Sequence, residues 1–303
     1  LTFVYGGVLN LSQVGDKKDL MLFIYVLAFM GFGVKAAVCP FNSWLPQAGV
    51  APTPVTALLH AVAGVKSGAF AIIRLTYYSF GTDFLRGTWA QYLLLGIVIF
   101  TIVYGCSMAV RETHIKRRLA FSTISNLSYI LFGVLIMTPL GLAGALCHMV
   151  FHGVMKICSF FCAGAMITQA HADYVHQIDG MAKKMPKIFA IFTVSALALM
   201  GVPGLCGFVS KWHLAKAAFA SDNVLAVVGV GGLLVSALLT AIYMLSIVIR
   251  AYFPGNDFDY GKLHGEICDP DWRMLLPLSL MVVIGVYSAP FVAFFSSVAG
   301  GMI

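Results

Sequence analysis

Along the chain, long apolar runs alternate with short clusters of charge, proline and glycine. A bilayer core of about 30 Å needs about 20 apolar residues per helix. About eight runs meet that length: 20–39, 54–80, 89–110, 119–137, 140–168, 188–219, 224–253 and 275–298. Residues 1–11 read as the end of another. The pattern predicts an all-α polytopic membrane protein, multi-pass in the inner (plasma) membrane of the cell. The chain opens at Leu1 rather than Met, with no basic segment or small-residue cleavage site behind it, so it reads as an N-terminally truncated fragment lacking its earlier helices.

Two stretches are not plain helices. Pro40, Pro46, Pro52 and Pro54 crowd residues 39–54, and Gly201, Pro203, Gly204 and Gly207 interrupt the run 188–219. Such residues break helices. At membrane depth, irregular backbone is tolerated only where protein or a water-filled cavity satisfies its polar groups. The first stretch reads equally as an ordinary interfacial loop. Paired interruptions in two halves of a chain are the pattern of inverted-repeat transporters. Residues 1–303 are therefore expected to form a single membrane domain: 1–80 closes a first repeat, 89–253 forms a second, and 254–303 is a loop and C-terminal helix.

Composition narrows the function classes. With 60% hydrophobic and only 10% charged residues, the chain has no room for a large soluble catalytic domain or a disordered one. The net charge of +7 is spread too thinly for a nucleic-acid face. Seven cysteines scattered through 303 residues form no disulfide framework. The loop charges orient the chain, because Lys and Arg gather on the cytoplasmic side. One set of alternate connections holds ten of them: Arg111, Lys116, Arg117, Arg118, Lys183, Lys184, Lys187, Arg250, Lys262 and Arg273. The other set holds three: Lys17, Lys18 and Arg86. The loops containing Arg117, Lys184 and Lys262 are expected inside, and residues 16–19 outside.

The charges that remain within the spans carry the most information. All twelve acids fall in loops or at span edges, whereas Lys35, Lys66, Lys156 and Lys211 lie in four different spans. A lysine at mid-bilayer costs roughly 2.5 to 3.5 kcal/mol, so four cost roughly 10 to 14 kcal/mol before any relief. That rivals the whole stability of a typical domain, about 5 to 15 kcal/mol. Lys35 and Lys216 stand near span ends, where a long stem can carry the ammonium to the interface. Lys211 can cap the broken segment. Lys66 and Lys156 are too deep for either escape.

Three histidines join them. His148, His152 and Lys156 follow at i, i+4 and i+8 along one helix stripe, and His60 shares a span with Lys66. A lone membrane histidine usually makes an interhelical hydrogen bond, but two on a stripe with a lysine suit proton transfer. Imidazole titrates near neutrality, and burial can lower a lysine's affinity for its proton by several powers of ten. Linked by water, such groups pass protons between helices. Cys158 and Cys162, four apart with no further ligands, make no metal site, and the thiols read as packing residues. No catalytic residue, metal or cofactor is expected. Two other readings stand beside this one: a haem-bearing electron carrier with His60 and His148 or His152 as axial ligands, and a small-solute secondary transporter.

Four ordered segments carry a resemblance: 34–46 (VKAAVCPFNSWLP), 51–60 (APTPVTALLH), 115–125 (IKRRLAFSTIS) and 201–212 (GVPGLCGFVSKW). They resemble the antiporter-like subunits of NADH:quinone oxidoreductase (complex I), Mrp-type cation/proton antiporters and membrane-bound hydrogenases. The likeness covers most of residues 1–253. It implies a non-catalytic, proton-translocating subunit, in some members cation/proton antiporting, held in the bilayer among the other membrane subunits of a complex I-like, Mrp-like or hydrogenase assembly. It also implies that Lys35 is the first-half channel lysine, that His60 and Lys66 are connecting basic residues, that His148, His152 and Lys156 form a central histidine-rich helix, and that Lys211 is the second-half lysine. The glutamate that the family pairs with its first lysine, on an earlier helix, is absent. The 207–212 ending and Ile178-Asp179-Gly180 look closer to Mrp-type D subunits than to the largest complex I subunit.

Overall fold

A computed structural model describes residues 18–61, 63–255 and 275–302. The expected partial helix at 1–11, together with Asp16, Lys17, Lys262, Cys268 and Arg273, lies outside these residues. The described chain is helical: α1 (Lys18–Lys35), α2 (Trp44–Ala48), α3 (Thr53–Ala61), α4 (Gly64–Arg74) running on into a π-helical turn (Leu75–Phe80), α5 (Thr82–Leu85), α6 (Trp89–Arg111), α7 (Ile115–Leu135), α8 (Pro139–Ala170), α9 (Pro186–Met200), α10 (Cys206–Phe219), α11 (Val224–Tyr252), α12 (Leu275–Val286) and α13 (Ala289–Gly300). Among the described residues five helices are long and apolar enough to cross a bilayer, or six if α12 and α13, bent by 79°, count as one span.

Four of the expected runs are single helices, namely α6, α7, α8 and α11; the run 20–39 holds α1, which stops at Lys35, and the runs 188–219 and 275–298 are divided. The run 188–219 breaks where its glycines and proline stand: α9 ends at Gly201, whose φ of 93° belongs to the left-handed region that glycine tolerates. Residues 53–80 count as one membrane-length helix, in which Val62 is not described. The proline-rich stretch is mixed, with Asn42, Leu45, Pro46 and Gly49 buried and Pro40, Pro52 and Pro54 exposed. Ala36, Ala37, Val38 and Leu45 are fully covered, and the Trp44 indole donates to the Val34 carbonyl at 2.8 Å, closing the end of α1.

α7 is the axis of the bundle. Of its most apolar window 94% is buried, against 39% for α11 at the periphery. It packs on α2, α4, α6, α8, α10 and α11. Glycines let its neighbours come close: a Cβ on Gly133 would sit 2.7 Å from the Gly141 carbonyl on α8, and one on Gly105 of α6 would sit 2.9 Å from the Ser125 nitrogen. Without a hydrophobic drive between helices in lipid, such close backbone contacts supply the packing.

The basic loops sort to two ends. Ile115 N–H donates to Asp173, Gly180 N–H to Arg250, and Arg118 reaches Ser246, so 111–118, 171–185 and 250 share one end. At the other end Lys18 lies over the Phe84 ring, Asp19 accepts from the Trp89 indole, and Arg86 bonds the Met137 carbonyl. This is the partition that the charge count draws.

Candidate functional site

The buried polar residues converge on α8. His148, His152 and Lys156 are all fully covered, and their spacing places them one above another along the helix. The His148 and His152 rings stack with centroids 5.9 Å apart. On one side, Tyr129 of α7 stacks on His148 at 5.3 Å, and Lys211 of α10 holds its Nζ 5.2 Å from the centre of the same Tyr129 ring. His148 Nδ1 also meets the Ser210 hydroxyl at 2.9 Å. On the other side, His60 of α3 is fully buried and stacks on Phe160 of α8 at 4.8 Å. Lys66 of α4 lies against Gly153, where a Cβ would come within 2.6 Å of its Nζ. Glycine at 153 makes the space for that ammonium, one residue from His152. His152 therefore stands in the electrostatic field of Lys66, Lys156, His148 and His60 together. The order across the protein is Lys211, His148, His152, then Lys66 and Lys156, then His60.

Lys156 and the part-buried Lys211 are held differently. Lys156 Nζ donates to the Leu119 carbonyl of α7 at 3.0 Å. Lys211 Nζ donates to the Leu199 and Met200 carbonyls at 2.6 and 3.2 Å, the last two residues of α9. Helix-terminal carbonyls lack intrahelical partners and form the negative end of the macrodipole, so a cation is stabilised there.

The imidazoles are underbonded. Both ring nitrogens of His60, both of His152 and Nε2 of His148 are buried without a hydrogen-bond partner in the protein. A buried polar atom left unsatisfied costs about 1 to 3 kcal/mol, so five together must be relieved by water or used. No Asp or Glu is buried among the described residues, whereas Lys66, Lys116, Arg118 and Lys156 are.

The NADH:quinone oxidoreductase/Mrp antiporter transmembrane family model matches residues 3–240. The chain belongs to that family. A relative, NAD(P)H-quinone oxidoreductase chain 4 2 of Thermosynechococcus vestitus, is 32% identical over 299 residues, covering 93% of this chain and 54% of the relative. The chain spans about half the length of the curated relatives it matches. Two solved structures share its fold. A chain of respiratory complex I from Thermus thermophilus with bound NADH superposes with a TM-score of 0.80 at 23% identity, over 95% of this chain and 59% of that one. A chain of the Mrp complex from Dietzia sp. gives 0.79 at 22%, over 92% and 59%. With these comparisons, the long apolar helices make the chain a multi-pass membrane protein.

Within this family fold, six of the seven expected site residues come together: His60, Lys66, His148, His152, Lys156 and Lys211. Lys35 does not. It is exposed at the end of α1, with its Cβ against Gly68 of α4. The sequence reading also passed over Arg74, a cation inside the run 54–80, which is exposed and stands 5.7 Å from the Tyr78 ring. Arg118, counted as a loop charge, is buried: it donates to the Glu112 and Tyr243 carbonyls and to the Ser246 hydroxyl.

Proposed function

We propose that the chain conducts protons through the row Lys211, His148, His152, Lys66, Lys156 and His60, as one subunit of a multisubunit membrane complex. The observation that carries this reading is the set of five buried, unpartnered imidazole nitrogens grouped with the buried Lys66 and Lys156. An imidazole with free nitrogens can take a proton on one side and release it on the other. The ammonium groups set the field through which that proton moves, and water supplies the hydrogen bonds that the protein leaves open. Sodium is the poorer cargo, because hard cations seek oxygen ligands, carboxylates above all, and no carboxylate is buried among the described residues. Energy for directed transport comes from partner subunits, which the fold likeness to chains of complex I and Mrp assemblies supports.

Replacing Lys156 or Lys211 by alanine in the assembled complex is expected to abolish proton flux into vesicles while leaving most of the complex assembled. Wild-type flux in both variants rejects the relay.

A further inference from the structure

We propose that a second proton path, built from hydroxyls and one thiol, runs between α6, α7 and α11 and joins the relay at Tyr129. It rests on the proton-relay reading and adds to it a route to the basic end of the bundle.

The path begins at a cavity of about 270 Å³ whose lining includes Arg118, His176, Tyr243, Ser246 and Arg250. Its cations are engaged: Arg118 by two backbone carbonyls and Ser246, Arg250 by Asp179 at 3.5 Å. From its wall the Tyr243 hydroxyl donates inward to Ser122 at 2.6 Å and Thr240 at 3.3 Å. The Cys106 thiol meets Thr240 at 3.6 Å, Ser236 at 3.0 Å and Ser125 at 3.2 Å, and Ser125 and Ser236 meet each other at 3.1 Å. The Tyr129 hydroxyl stands beside Ser236 and donates to the Leu233 carbonyl at 3.0 Å, and its ring touches both His148 and the Lys211 ammonium.

Two features separate this string from ordinary packing. Lone polar residues in a membrane helix usually bond back to the carbonyl four residues earlier; Thr123, Asn126 and Ser128 of α7 do so, as does Thr240 of the string, at 2.7 Å from the Ser236 carbonyl. Ser125 and Ser236 instead meet each other and the Cys106 thiol across three helices. The approach is also built in, since the α6–α7 contact that brings Cys106 to Ser125 requires the missing side chain of Gly105.

Each hydroxyl or thiol accepts a hydrogen ion on a lone pair and releases its own to the next group. One proton leaves the string for each that joins it, and no group stays charged. The last transfer, from Tyr129 to His148 or Lys211, passes through a bridging water.

The test is proton flux per assembled complex, in vesicles, for Cys106→Val, Cys106→Ser and Ser236→Ala, with Lys156→Ala as reference. Cys106→Val and Ser236→Ala are expected to lower flux about tenfold, and Cys106→Ser, which keeps a donor and acceptor, to retain it. Wild-type flux in Cys106→Val and Ser236→Ala, with Lys156→Ala inactive, overturns the path and leaves the relay standing. Equal loss in Cys106→Ser and Cys106→Val also overturns it, because the thiol then serves only to fill space. Full flux in Lys156→Ala overturns the relay and this path together.

Discussion

Single positions decide where the ammonium groups sit. Gly153→Ala places a methyl 2.6 Å from the Lys66 Nζ. The ammonium, at the far end of a flexible side chain, moves, while the Ala61 carbonyl 3.1 Å from the methyl must give by a few tenths of an ångström. The expected outcome is a slightly lowered melting temperature with flux lowered about tenfold, read by thermal denaturation and a vesicle pH dye. Lys211→Met keeps the volume but uncaps α9. Losing charge-assisted bonds to two carbonyls is expected to cost about 2 kcal/mol, visible as faster amide exchange at Gly201 and Val202, whose N–H groups bond back to α9. The deep lysines and histidines were legible in the sequence because a charge in an apolar run has no cheap explanation. The hydroxyl string was not, because serine and threonine can satisfy themselves on their own helix and leave no mark in a hydropathy pattern. Lys35 and Lys66 look alike in sequence. Which face of a helix each occupies, and therefore which is buried, follows only from packing.

At the scale of elements, the break between α9 and α10 was readable because Gly201, Pro203 and Gly204 cannot continue a helix. The end of α1 at Lys35 was not, since residues 34–38 hold neither glycine nor proline. Close helix contacts were also hidden, because a glycine in an apolar run gives no sign of what faces it. Gly105→Ala tests one of them. With α7 backbone 2.9 Å from the new methyl, α6 must shift, and destabilisation of about 1 to 3 kcal/mol is expected on thermal or denaturant unfolding. The loop end offers a pH test. His114 bridges to Tyr174 where 111–115 meets 171–175. Burial holds its imidazole below the ordinary value of 6.5, outweighing the nearby Asp173 carboxylate, which acts the other way. A depressed value in the folded state means that this stabilisation is complete above about pH 6.5 and is lost as pH falls through the folded value. Amide protection at Ile115 and Val175, which bond to Asp173 and Thr113, is expected to weaken on acidification, and His114→Gln to remove that dependence.

For the molecule as a whole, composition and run length were enough to give a helical membrane bundle, and the loop charges sorted its two ends as the coordinates do. The convergence of six basic side chains from α3, α4, α8 and α10 could not be read from spacing, which orders residues only along one helix. The account depends on those side chains exchanging protons with one another. The most direct measurement is nitrogen-15 NMR of lysine-labelled complex during turnover, with the Lys156 signal assigned by its loss in Lys156→Met. Exchange between ammonium and neutral amine at Lys156 while protons are being pumped is the predicted result. A signal that stays ammonium throughout undiminished pumping contradicts it.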